Sequence, residues 1–240
     1  MTFIDANGLD FVQLNNAIRE SPGDCTLLNC LGQRFIGAGM SGRSIIIKGV
    51  PGNALGAYLS GAEIVVDGNV QDAVGDTMDS GTIEVGGNIG DAAGYAMRGG
   101  EMYIKGNAGY RAGIHMKQYK DKKPVIVIGG RAGSFLGEYQ AGGLIIVLGL
   151  HDDGKPIVGN FPCTGMHGGK MLLRGDTSGI SFPGQTNART AGKEDMEEIL
   201  PFLEEYSRRF GVSMKTLLEE SYTVITPDSK NPYKQMYVGN

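Results

Sequence analysis

Three histidines, three cysteines and one glycine motif are the raw material for chemistry in this chain of 240 residues. Cys163 and His167 stand four apart with His151 upstream, and a soft-metal site is conceivable from them. The group has no Cys-x-x-Cys pair and no fourth soft ligand, which favours a structural role. Gly37-Ala-Gly-Met-Ser-Gly42 matches G-x-G-x-x-G, the pattern of a dinucleotide loop, with Glu63 placed for a ribose. Such a loop must open a helix on its last glycine. Here Arg43 to Lys48 follows as a strand-like run, and the same glycine spacing recurs in later segments, so the motif is read as structural. No serine or cysteine lies in a nucleophile elbow, and neither a Walker loop nor a cysteine cluster for an iron–sulfur centre is present. No catalytic, cofactor-binding or metal-binding residue is therefore assigned. Residues 117–123, Lys-Gln-Tyr-Lys-Asp-Lys-Lys, form a basic loop expected to leave the body of the fold. It is a solvated loop by default, and its sharper reading is partner docking through Lys117, Lys120, Lys122 and Lys123.

These residues sit on a repeat. A glycine closes each of the apolar runs at Gly49, Gly68, Gly87, Gly106, Gly130, Gly149 and Gly175, in steps of 19, 19, 19, 24, 19 and 26 residues. Two residues before these anchors stand Ile47, Val66, Val85, Ile104, Ile128, Val147 and Leu173. Four before stand Ile45, Ile64, Ile83, Met102, Ile126, Ile145 and Met171. The column between them is mixed: Ile46, Val65, Glu84, Tyr103, Val127, Ile146, Leu172. This alternation predicts a strand with one face always buried. Ile104 should stack between Val85 and Ile128, and Glu84 should face solvent. A second glycine column, Gly37, Gly56, Gly75, Gly94, Gly113 and Gly137, marks corners where φ > 0 or close backbone approach excludes a Cβ. Asn69, Asn88 and Asn107 are read as further corner residues in the left-handed region. Met40, Leu59, Met78, Met97, Met116, Gln140 and Met166 form one more column.

No single repeat can bury its own apolar face, so the repeats must stack, strand on equivalent strand about 4.8 Å apart. The fold class expected is all-β, a right-handed parallel β-helix. It has about eight coils if Cys25–Cys30 is a degenerate first coil with Leu28 in an apolar column.

Composition agrees. Glycine is 40 of 240 residues with only 9 prolines, and 41% of the chain is hydrophobic, which excludes collagen and low-complexity disorder. The net charge is −4, without the concentrated basic face of a nucleic-acid binder. No apolar run reaches the ~18–20 residues that span a membrane. Three cysteines without a secretory segment point to a reducing, cytoplasmic setting.

The ends lie outside the repeat. Residues 1–24 are read as an N-terminal cap with an amphipathic helix over 8–20, residues 25–180 as the β-helix, and 181–240 as a helical C-terminal extension and tail. In that extension Lys193 to Phe210 reads as helix, with Pro201 starting a second segment. Ser213 caps a short helix, and Tyr222 to Thr226 is extended. The Pro-punctuated end, with Tyr233 and Tyr237, is a further candidate for partner docking.

Runs such as Gly75-Asp-Thr-Met-Asp-Ser-Gly-Thr-Ile-Glu-Val-Gly-Gly-Asn-Ile-Gly90 resemble the GXGXG β-helix domain over about residues 25–180. That domain forms the C-terminal part of the glutamate synthase large subunit and one whole subunit of formylmethanofuran dehydrogenase. Phe161-Pro-Cys-Thr-Gly-Met-His-Gly-Gly169 and Asn231-Pro-Tyr-Lys-Gln-Met-Tyr237 look more like stand-alone chains of the glutamate synthase type. The resemblance implies a non-catalytic scaffold subunit of a split glutamate synthase, which makes glutamate from glutamine and 2-oxoglutarate. It would join an amidotransferase chain to a synthase chain, and the partner would hold the FMN and the iron–sulfur cluster. The alternatives are the β-helix subunit of a formylmethanofuran dehydrogenase-like or other amidotransferase-linked redox complex, and a ligand-binding β-helix acting alone. No nucleic acid or membrane is expected as a partner, and an oligomer is compatible with the chain.

Overall fold

The computed structural model describes residues 1–151 and 154–228; Tyr233 and Tyr237 lie outside the described residues. The repeat folds as a parallel stack. Strands β1 (Thr2–Asp5), β2 (Cys25–Leu31), β3 (Ser44–Val50), β4 (Ser60–Val66), β5 (Ser80–Val85), β6 (Glu101–Ile104), β7 (Val125–Ile128), β8 (Ala141–Val147) and β9 (Gly168–Arg174) each pair in parallel with the next. β10 (Thr186–Thr190) and β11 (Tyr222–Pro227) close the sheet with antiparallel pairings, in the order β9-β11-β10. Register follows the sequence columns. Val85 pairs with Ile104 and Ile104 with Ile128, and all three are fully buried. Like residues stack because each column repeats one environment, and the aliphatic and methionine columns fill the interior of the coils.

The turn side of each coil has its own backbone rule. Residues in the left-handed region alternate with ordinary ones, three to a coil, as in Ala54, Gly56 and Tyr58, or Arg111, Gly113 and His115. The outer two donate their N–H forward to the next coil, as from Ala54 to Asp72 O and from Tyr58 to Asp76 O. The middle one donates backward, from Gly56 to Ile36 O. Alternating handedness thus turns these amides up and down the stack, toward carbonyls of the adjacent coils. The middle position is the Gly37–Gly137 column, where φ is +64° to +72° and a Cβ would collide with an isoleucine or methionine side chain packed inside the coil. Cys163 holds the same position in the last coil with φ 61°, bonding back to Leu136 O.

Helix α1 (Phe11–Glu20) closes the first coil and not merely by covering it. Asn15 Oδ1 accepts the Gly37 N–H at 3.1 Å, standing in for the carbonyl that a preceding coil would supply. The helix starts at Asp10, whose carboxylate caps the Val12 and Gln13 amides at 2.8 Å each. At the other end, α2 (Lys193–Phe210) and α3 (Met214–Leu218) lie on the outer face of the sheet. Ile199, Leu203, Tyr206 and Leu217 pack on Tyr103, Val127, Ile146, Leu172 and Val224.

Five expectations are corrected. Glu84 does not stand free in solvent. Arg209 from α2 reaches it at 2.6 Å, and the guanidinium lies 5.1 Å over the Tyr103 ring. Pro201 does not start a new segment: α2 is continuous through it. The proline faces solvent, so the Glu197 carbonyl it deprives of a partner can turn to water. Leu27, not Leu28, fills the apolar column opposite Ile47, because a bulge with Asn29 at φ 56° shifts the strand. Asn69, Asn88 and Asn107 are not left-handed corners. They form a ladder in which Asn69 accepts the Asn88 amide at 2.7 Å, Asn88 that of Asn107 at 2.8 Å, and Asn107 that of Arg131 at 2.8 Å. The basic loop does not leave the stack, since Lys122 pairs with Asp79 two coils back and Lys123 with Glu198 on α2.

Candidate functional site

The chemistry-bearing residues are not brought together. Cys163 points into the core with its Sγ 3.5 Å from Met171 Sδ, and burial pushes its thiol up to about 12. His167 turns its Nδ1 to Gly165 O at 3.0 Å, and His151 Nε2 lies 3.4 Å from Lys105 O. Among the described residues no three His, Cys, Asp or Glu side chains gather where a metal ion could be held. Gly37 to Gly42 form the turn side of a coil and lead into β3 rather than a helix. The four lysines also divide. Lys122 and Lys123 are held by carboxylates of this chain, Lys120 lies 5.3 Å over the Tyr119 ring, and Lys117 is exposed. The Tyr119–Lys122 segment is a small hairpin with reciprocal backbone bonds of 3.2 and 3.1 Å.

What the fold does assemble is a surface. Of the outer left-handed positions, two residues either side of the glycine column, Phe35, Tyr58, Arg111, His115 and Phe161 are exposed, as is the neighbouring Tyr95. On this turn face His115 stacks flat on Tyr139 at 5.1 Å and meets Tyr95 edge-on at 5.9 Å. Beside them Phe135 lies 5.3 Å from Phe161 and carries the Arg111 guanidinium 4.9 Å above its ring. Arg111 also pairs with Glu138 at 3.0 Å. Tyr58 and Phe161 are each 62% exposed, and Phe35 and Tyr110 extend the stripe. Tyrosine, phenylalanine and arginine at fixed spacing on a rigid support are the residues that anchor protein interfaces. Sequence reasoning missed this stripe, although a readable signal existed: the columns two before and two after the Gly37–Gly137 series.

A groove of about 440 Å³ adjoins one end of the stripe, lined by Phe161, Pro162, Ile180, Phe182 and Pro183. No charged side chain lines it among the described residues. No helix among these residues is long and apolar enough to cross a membrane.

Comparison with known proteins agrees with the geometry. The family model described as the GXGXG motif matches residues 12–228. The chain is 42% identical over 248 residues to the uncharacterized protein MJ1350 of Methanocaldococcus jannaschii, covering 98% of this chain and 95% of that protein. Among solved structures, a chain of the formyltransferase/hydrolase complex FhcABCD from Methylorubrum extorquens, crystallised with methylofuran, superposes with a TM-score of 0.66. That match covers 95% of this chain and 91% of the other at 19% identity, which speaks to the fold. The stacked glycine corners and the family match lead to one conclusion: this chain belongs to the GXGXG family.

Proposed function

We propose that this chain is a non-catalytic β-helix subunit of a multi-subunit enzyme, a rod on which catalytic partner chains dock. The observation that carries this reading is the Tyr95–His115–Tyr139 and Arg111–Phe135–Phe161 surface stripe, set on coils whose interior is filled by side chains. Eight coils give a rod of roughly 34 Å, enough to set the spacing between two catalytic domains. Within this reading we place the chain in a split glutamate synthase, between an amidotransferase chain and a synthase chain holding FMN and an iron–sulfur cluster. The likeness of Phe161–Gly169 to stand-alone chains of the glutamate synthase type favours that assignment, while the family match fits either. A second assignment, to a formyl-transfer complex, is favoured by the fold match along nearly the whole of both chains.

Tagging the chain in its native host and identifying what co-purifies tests this reading. An amidotransferase and a flavin-containing synthase chain are expected in fixed stoichiometry. Recovery with formyl-transfer or molybdopterin chains selects the second assignment, and recovery without any stoichiometric partner refutes the scaffold.

A further inference from the structure

The last strand of the sheet offers a second interaction surface, unrelated to the turn face. Among the described residues β10 is the outermost strand, and four of its five residues, Asn187 to Thr190, are exposed. Its pairing phase is fixed by two backbone bonds, Ala191 N–H to Tyr222 O at 2.8 Å and Asp228 N–H to Gln185 O at 2.9 Å. Residues 185, 187, 189 and 191 therefore face β11, and the backbone groups of Thr186, Ala188 and Thr190 face the open edge. Edges of this kind are normally blunted by lysine, proline, a bulge or an inward charge. β10, Thr-Asn-Ala-Arg-Thr, has no lysine, proline or bulge. Its one charge, Arg189, is engaged by both Asp195 oxygens at 2.6 and 3.0 Å.

We infer that β10 pairs with β10 of a second copy of this chain, antiparallel about a two-fold axis through Ala188. The strand is self-complementary in that register. Thr186 meets Thr190 of the copy, Asn187 meets Arg189, and Ala188 meets Ala188. The backbone matches too. The Thr186 N–H is already bonded to Pro183 O at 3.0 Å, and the Thr190 carbonyl accepts from Arg189 Nη1 at 3.2 Å. In the two-fold register these two occupied groups fall opposite each other. The remaining groups also match, the Thr190 N–H with the Thr186 carbonyl of the copy and the Ala188 N–H with the Ala188 carbonyl. A heterologous strand would need the same pattern of occupied and open groups, whereas a second copy supplies it by symmetry. The result is one sheet running through two rods joined at their C-terminal ends.

Sedimentation equilibrium of the full chain across concentration, with light scattering on a sizing column, tests the pairing. The wild-type chain should shift from the 25.4 kDa monomer to twice that mass below about 1 mM, the weak end of specific association. Ala188→Pro removes only an edge-facing N–H, and Ala188→Lys sets like charges directly opposite each other. Both variants should stay monomeric at every concentration, with wild-type far-UV circular dichroism. A wild-type chain that is monomeric throughout overturns the inference. So does a dimer that persists in Ala188→Lys. If Ala188→Pro loses its fold, the Lys variant alone decides.

Discussion

Replacing Gly94 by alanine tests the stacking of the corners, because two separate costs can be told apart there. Gly94 has φ +67°, and a Cβ would lie 2.5 Å from Ile126 Cδ1 on a following coil. The left-handed backbone costs an L-residue about 1–2 kcal/mol. The collision adds about 1–3 kcal/mol, the usual range for overpacking a filled core. Gly39 is the control: it has the same φ of +67°, but a Cβ there would meet nothing within 4 Å. Gly39→Ala should therefore cost only the backbone part, while Gly94→Ala should cost about 2–5 kcal/mol. Ile126→Val deletes the colliding Cδ1 and alone costs about 0.5–1.5 kcal/mol. The double variant should be more stable than the sum of the single changes by about 1–3 kcal/mol. Urea denaturation followed by far-UV circular dichroism measures all four proteins, and each kcal/mol should also move Tm by about 2–4 °C at this chain length. Equal losses at Gly39 and Gly94, or additivity within about 0.5 kcal/mol in the double variant, would refute the reasoning.

Three further outcomes are expected. Glu84→Ala should destabilise by about 1.5–3 kcal/mol, the range for a hydrogen bond to a charged group, because Arg209 is almost wholly buried against it; a change in urea midpoint within error of wild type would contradict the latch between α2 and the sheet. Asp195 is held at about 2 by the Arg189 guanidinium first, with the Gly192 N–H also bonding its carboxylate. Since its folded value is depressed, its stabilisation is present above the unfolded range near ~3.9 and is lost as pH falls toward 2; Asp195→Asn should flatten the acid limb of stability, and an unchanged limb counts against this. The three cysteines are buried, with the Cys30 thiol raised to about 11 and that of Cys163 to about 12 by burial; a thiol reagent at neutral pH should label them only on unfolding, and fast labelling of the native chain would show the coils to be open.

Much of the stack was legible because one period imposes one environment per column. Ile104 could be placed between Val85 and Ile128 from spacing alone, and Cys163 could be aligned with the corner glycines despite a 26-residue step. What escaped depends on contacts that no period carries. Arg209 meets Glu84 across 125 residues of chain, although the mostly apolar outer column, Ile46, Val65, Tyr103, Val127, Ile146 and Leu172, hinted that something covers it. The Asn69–Asn88–Asn107 ladder was seen as a spacing but given the wrong physics, since amide side chains there accept the next coil's N–H instead of relieving backbone strain. The aromatic stripe escaped because its columns mix the aromatics with Ala54, Ala73, Thr77, Ala92 and Ala96, so residue type alone does not mark them. The glycines' handedness sets the turn, but the residues two positions away carry the surface.

The most direct test of the scaffold is reconstitution with the co-purified partner chains. Under the proposed glutamate synthase assignment, glutamate formation from glutamine and 2-oxoglutarate should be absent with this chain alone. It should become coupled to glutamine hydrolysis when the chain joins its partners, and should weaken with Tyr139→Ala and Phe161→Ala while Tm of the rod holds. Glutamate production by the isolated chain, or full coupling by the partners without it, would contradict the account.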